Sequence, residues 1–219
     1  MTIEAVVFDL DGVLVQSEEL WDAARRELAE EHEIEWPDDA TDAMMGMSLK
    51  EWSRYMHDEV GVPESPDEIN RKVLGWVEQR YRDDLPWIDG AREAVRRIGK
   101  DFPLGLATSS NREIIDIVVE VGGFGDLLEV TVSSEEVERG KPAPDVYLEA
   151  TTRMGVDPKR TAAVEDSTNG LLAARAAGMR VIAIPNDAHP PADKGLMAAD
   201  AVLGSIEDLT AAVVRGEPS

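Results

Sequence analysis

The stretch Ile3-Glu4-Ala5-Val6-Val7-Phe8-Asp9-Leu10-Asp11-Gly12 decides the fold. A short apolar, β-branched run stops abruptly at two aspartates and a glycine. Such a run suits a strand buried on both faces of a parallel sheet. Runs of the same kind return at 103–107, 127–132, 161–164 and 179–184. Helical patterns separate them, at about 113–121, 145–154, 170–177 and 206–214. Strand and helix in alternation predict an α/β domain, a Rossmann-like doubly wound parallel sheet.

One stretch breaks the alternation. Residues 15–86 hold no convincing buried strand, only helical pattern interrupted by Trp36-Pro37, Gly61-Val62-Pro63 and Ser65-Pro66. A structureless loop of that length does not fit a compact domain. The expectation is an inserted helical subdomain over 15–86, with a core built from 1–14 and 87–219. Trp21, Trp36, Trp52 and Trp76 fall in the insert and are expected to form its small core.

Charge excludes several functions. The chain of 219 residues holds 45 acids and 22 bases, a net charge of −23. Nucleic acid and anionic membrane reward Lys and Arg, so neither is an expected partner. Six lysines stand against sixteen arginines. Two readings of this surface stay open, an ordinary acidic protein or one adapted to high salt. The absence of cysteine removes disulfides, thiolate metal sites and a cysteine nucleophile. Met1-Thr2-Ile3-Glu4 lacks a basic segment, and the first apolar run breaks at Asp9, so no signal peptide is expected. A cytoplasmic protein, and a monomer, is the expectation.

The polar residues of interest sit where the apolar runs stop. In open parallel sheets, ligands bind beyond the carboxyl ends of the strands. There the sequence offers Asp9 and Asp11, then Thr108-Ser109-Ser110, then Glu165-Asp166, while Lys141 lies in Gly140-Lys141-Pro142-Ala143-Pro144 just before a helix start. Two carboxylates about 5 Å apart repel by roughly 3 kcal/mol at an effective dielectric near 20. Four in one crevice with a single lysine require a cation. Hard oxygen ligands select Mg²⁺. Metal, lysine and hydroxyl together suit a phosphoryl group, which a carboxylate can attack.

Four segments carry a resemblance to a known family. Phe8-Asp9-Leu10-Asp11-Gly12-Val13-Leu14 resembles the first motif of the haloacid-dehalogenase superfamily, and Leu106-Ala107-Thr108-Ser109-Ser110-Asn111 its second. Gly140-Lys141-Pro142-Ala143-Pro144-Asp145 and Val164-Glu165-Asp166-Ser167 resemble the third and fourth, in the family's order. The helical insert falls where one large subgroup, of β-phosphoglucomutases and related phosphatases, carries its cap. The resemblance implies Asp9 as nucleophile and Mg²⁺ ligand. It implies Asp11 as general acid and then base, with its backbone carbonyl on the metal. Asp166 would be the third protein ligand, and Glu165 would act through a metal-bound water. Thr108 and the Ser109 amide would hold the phosphoryl group, and Lys141 would bridge it to Asp9.

The acid at Asp11 favours phosphoryl chemistry over dehalogenation, because an alkoxide leaving group needs a proton and a halide does not. Met44-Met45-Gly46-Met47-Ser48-Leu49-Lys50 resembles the substrate loop of the cap. Leu49 takes the place of the usual basic residue, and Lys50 follows. Gly46, Ser48, Lys50 and Asn111 are therefore substrate candidates, with Lys50 also readable as an exposed helix lysine. A mutase of this type carries a histidine where this chain has Trp21, and Gln16 replaces a common acid. The expected function is Mg²⁺-dependent hydrolysis of a small phosphomonoester, for instance a sugar phosphate, through an aspartyl-phosphate. A sugar phosphomutase and a non-catalytic metal- or partner-binding protein are the alternatives.

Overall fold

β1 (Ala5–Phe8) stands at the centre of a six-stranded sheet in the computed structural model, which describes residues 2–44, 47, 49–186 and 190–217. After β1 the chain makes α1 (Glu18–Glu31), α2 (Ala40–Met44), α3 (Leu49–Tyr55), α4 (Pro66–Asp83) and α5 (Ala91–Ile98). Then strand and helix alternate through β2 (Leu104–Thr108), α6 (Arg112–Gly122), β3 (Leu128–Ser133), α7 (Asp145–Met154), β4 (Thr161–Glu165) and α8 (Thr168–Ala176). β5 (Arg180–Ala183), α9 (Asp193–Leu196), β6 (Ala201–Val202) and α10 (Ala211–Arg215) complete the order. The sheet runs β3-β2-β1-β4-β5-β6, with every pairing parallel.

This order positions the site. From β1 the sheet grows outward to β2 and β3, then the chain crosses to β4 on the other side of β1. A reversal of that kind opens a crevice at the carboxyl ends of the strands. Every residue of β1, β2 and β4 is buried, as the continuous apolar runs require. One face packs Val7, Ala107, Ala163 and Val181 against Val146, Tyr147 and Ala150 of α7 and Leu171 and Ala174 of α8.

The chain divides into two compact units, Met1–Gln16 with Pro86–Ser219, and Ser17–Leu85. Val15, Gln16 and Pro86 go with the sheet because Val15 bridges Trp87 and the Gln16 N–H donates to the Pro86 carbonyl at 2.8 Å. The Ser17–Leu85 unit contains no strand among its described residues. Its α4 opens on Ser65, whose N–H and hydroxyl both donate to Glu68 Oε2 at 3.1 and 2.6 Å. The buried residues of this unit include Leu28, Met44, Met56, Ile69, Val73, Val77 and Tyr81.

Two expectations need correction. Of the four tryptophans in this unit only Trp52 is buried; Trp21, Trp36 and Trp76 are half-buried. Trp36 and Trp76 serve as platforms for Arg26 and Arg80, at 5.0 and 4.4 Å from the ring centroids, and aliphatic side chains supply most of the core. The helix expected over 206–214 is broken into a 3₁₀ turn at Ile206–Asp208 and α10, because Leu209 and Thr210 are extended and the Thr210 hydroxyl caps α10 by accepting from the Val213 N–H. Among the described residues no helix is long and apolar enough to cross a membrane.

Candidate active site

Asp9 is the first residue beyond β1, Thr108 ends β2, and Glu165 ends β4. The register pairs Phe8 with Leu106 on one side and Val164 on the other, so the next residues along all three strands emerge at one edge. The Asp9 N–H donates to the Val164 carbonyl at 2.9 Å, which continues the β1–β4 ladder into the site. Lys141 arrives from the loop before α7, where the Lys141–Pro142 peptide is cis.

Lys141 is the hub. Its Nζ donates to Asp9 Oδ1 at 2.7 Å, Glu165 Oε1 at 2.6 Å and the Ala107 carbonyl at 3.2 Å. The ring of Tyr147 lies 5.0 Å from the same Nζ. Burial works to lower the Lys141 pKa, but Asp9 and Glu165 outweigh it and hold the ammonium above the ordinary lysine range. It therefore stays charged.

Glu165 is fully buried and saturated by the chain itself. Besides Lys141, its Oε1 accepts from Tyr147 OH at 3.0 Å. Its Oε2 accepts from the N–H groups of Asp166 and Ser167, both at 3.0 Å, and from the Ser167 hydroxyl at 3.1 Å. Gly170 makes room for this carboxylate: a Cβ there would lie 1.5 Å from Oε1. Both oxygens of Glu165 are already engaged by the chain, so it suits a role at one remove from any cation.

Asp9 and Asp166 are different. Ligand oxygens of Asp9, Glu165 and Asp166 all lie within 4.8 Å of one another. Asp166 Oδ1 is buried with no hydrogen-bond partner. Burial first, then Glu165, push the Asp9 pKa up to about 8 against the opposing pull of Lys141. Burial and the neighbouring Glu165 and Asp9 likewise push Asp166 well up. With all three of these acids ionised, one lysine would leave two negative charges in excess. An orphaned oxygen and two carboxylates held far from their ordinary acidity fit a hard divalent cation that restores ionisation.

Asp11 faces the other way. Its Oδ2 accepts from the Ser110 hydroxyl at 2.5 Å and the Thr108 hydroxyl at 3.3 Å, while Oδ1 is buried without a partner. The turn that carries it depends on Gly12, at φ +79°, where an added Cβ would lie 2.0 Å from Asp166 Oδ2. Thr108 also accepts from the Ser110 N–H at 3.0 Å. Ser109 is exposed, and its carbonyl accepts from the Ser134 hydroxyl at 3.1 Å.

The remaining candidates are more scattered. Asn111 is buried at the N-terminus of α6, with Nδ2 donating to Glu113 at 2.8 Å and Oδ1 unpartnered. Lys50 is exposed in the first turn of α3. Gly46 and Ser48 lie outside the described residues. Ser110, two residues past Thr108, adds a second hydroxyl on Asp11 for which the sequence signals no separate role. Nor does it signal one for Tyr147, whose contact with Glu165 depends on how α7 packs and leaves no local signal.

Residues 6–184 match the model of the family described as haloacid dehalogenase-like hydrolase. Hexitol phosphatase B of Escherichia coli (strain K12) is 32% identical over 98% of this chain and 97% of its own length. The phosphorylated carbohydrates phosphatase of Thermotoga maritima is 30% identical over 82% of this chain and 84% of its own. The crystal structure of CbbY from Rhodobacter sphaeroides in complex with phosphate superposes with a TM-score of 0.85, covering 97% of this chain and 99% of that one at 24% identity. With four motifs converging on one sheet edge and the match spanning nearly the whole chain, this protein belongs to the haloacid dehalogenase-like hydrolase family.

Proposed function

We propose that this chain is a Mg²⁺-dependent phosphatase that hydrolyses a small phosphomonoester, a phosphorylated carbohydrate being the favoured class. The observation that carries the proposal is the split between two aspartates two residues apart. Asp9 is tied to a permanently charged lysine, and Asp11 is tied to hydroxyls. One is equipped to attack phosphorus, the other to exchange a proton.

Asp9 and Asp166 would hold the cation, with Glu165 fixing Lys141 and the start of α8 behind them. When bound, the cation neutralises the cluster and polarises a non-bridging phosphoryl oxygen. Lys141 holds the Asp9 carboxylate in place and offers its positive charge to the incoming phosphoryl group. Asp9 attacks phosphorus, and the ester oxygen leaves as Asp11 donates a proton to it. Asp11 then takes a proton from the water that cleaves the aspartyl-phosphate. The hydroxyls of Thr108 and Ser110 orient Asp11 through both steps, and Thr108 with the Ser109 amide would receive the phosphoryl oxygens.

The Ser17–Leu85 unit would serve as the cap that selects the substrate, with Gly46, Ser48 and Lys50 as its candidate residues, and Asn111 is a further substrate candidate. Relatives named for hexitol phosphates and phosphorylated carbohydrates support that substrate class. The mutase alternative has less support: at the position where the resemblance calls for histidine, Trp21 packs edge-on against Trp52 at 6.2 Å. A phosphate-release screen over hexitol phosphates, sugar phosphates, nucleotides and phosphoglycolate, with and without Mg²⁺, tests the reading. Turnover of at least one monoester only with Mg²⁺ is expected, with Asp9→Asn lowering it by roughly 10⁴-fold or more. Interconversion of phosphate positions without phosphate release would favour the mutase instead.

A further inference from the structure

Arg25 is an anomaly in the Ser17–Leu85 unit. It sits in the middle of α1 at only 5% exposure, yet no hydrogen bond or ion pair reaches its guanidinium among the described residues. Its Nε is sealed off without a partner. The next residue shows the ordinary solution: Arg26 pairs with Asp22 at 2.6 Å and donates to the Thr41 hydroxyl at 2.8 Å. Asp22 also accepts from Thr41 at 2.6 Å, so its carboxylate is already committed. Burial pulls the Arg25 pKa down, against the influence of Asp22 and Glu18.

A buried charge without a partner is among the more expensive features a fold can carry. Stability does not explain it. Methionine or leucine would fill the same helical position with equal propensity and no desolvation penalty. What the surroundings do provide is orientation. The guanidinium lies 5.9 Å from the ring centroid of Trp52, which is itself buried and braced edge-on by Trp21. An indole face holds a planar cation without consuming its donors. Those donors form the fork that matches a carboxylate or phosphate.

We propose that Arg25, oriented by Trp52 and Trp21, is the binding group of an oxyanion site in the Ser17–Leu85 unit, taking the carboxylate or phosphate group of a small metabolite. The proposal does not depend on the phosphatase reading, because it concerns residues outside the carboxylate cluster.

Trp21 and Trp52 make the site visible. The full chain is titrated with inorganic phosphate in one arm and malonate in the other, following tryptophan fluorescence at ionic strength held constant with NaCl. That control matters because a protein of net charge −23 responds to salt by itself. Saturable quenching or enhancement by at least one of the two anions is expected, and the arm that responds identifies the anion. Asp9→Asn should retain the response, which separates it from binding at the carboxylate cluster. Arg25→Gln should weaken the apparent affinity at least tenfold. Arg25→Lys, which keeps the charge but not the fork, should give an intermediate loss and guards against a folding defect in the first variant. The proposal is overturned if neither anion gives a saturable response, or if Arg25→Gln responds like the wild type.

Discussion

Asp9 and Asp11 are separated by one leucine, yet the chain gives them opposite surroundings. Lys141 Nζ and a buried acidic neighbourhood surround Asp9, whereas Ser110 and Thr108 hydroxyls hold Asp11. The residue that makes this possible is Gly12. Its positive φ turns the backbone after Asp11, and its missing side chain leaves room for the Asp166 carboxylate. Gly12→Ala is therefore expected to act in two ways. The strained conformation should cost about 1 kcal/mol or more of stability, seen as a lower denaturation midpoint. The displaced Asp166 should raise the Mg²⁺ concentration for half-maximal phosphate release at least tenfold. A variant with wild-type Mg²⁺ dependence would show that Asp166 does not serve the cation. Of the site residues, Asp9, Asp11, Thr108, Lys141, Glu165 and Asp166 were legible because each ends an apolar run or belongs to a motif. Tyr147 was not, since its hydroxyl meets Glu165 only through the packing of α7.

At the scale of elements, the long buried strands were legible and the short ones were not. β1, β2, β3, β4 and β5 each announce themselves by a run of apolar residues. β6 spans only Ala201–Val202, with Val202 exposed, and carries no periodicity to read. The break between Ile206–Asp208 and α10 was hidden because Thr210 competes with the helix by capping the one that follows. Side-chain networks tie the elements together. Glu136, in the turn after β3, accepts from Arg112 of α6, from Arg153 of α7 at 2.7 Å and from the Ser133 N–H at 2.9 Å. Burial would raise its pKa, but the Ser133 N–H and the two guanidiniums outweigh it and hold the group at about 2. An acid with a lowered folded pKa contributes stability above its unfolded pKa and loses it as pH falls toward the folded one. Glu136→Gln should therefore destabilise the protein by about 1 kcal/mol near neutrality. In urea titrations the gap to wild type should narrow between about pH 4.5 and 2. A gap independent of pH would mean the charge is not what matters.

For the whole molecule, the acidity divides unevenly. Residues 15–86 hold 20 acids and 8 bases, so more than half of the net charge of −23 lies in about a third of the sequence. The excess over the remaining residues includes the four acids of the proposed site. A phosphorylated substrate would meet repulsion over much of so acidic a chain, and Lys141, the strand-end amides and a bound cation would have to supply the local attraction. The architecture was readable because parallel strands and an all-helical insert leave opposite periodicities in the sequence. The tryptophans are not the core of the Ser17–Leu85 unit: Trp52 alone among them is buried, while Trp36 and Trp76 are half-exposed platforms for Arg26 and Arg80. In the proposed reaction one carboxylate, Asp9, takes the phosphoryl group from the substrate. The direct measurement is mass spectrometry of protein quenched in acid during turnover of its best monoester with Mg²⁺. A single added phosphoryl group on the peptide containing Asp9, absent in Asp9→Asn, is the predicted result. Steady phosphate release at the wild-type rate by Asp9→Asn, with no labelled peptide, would rule out Asp9 as the phosphoryl acceptor.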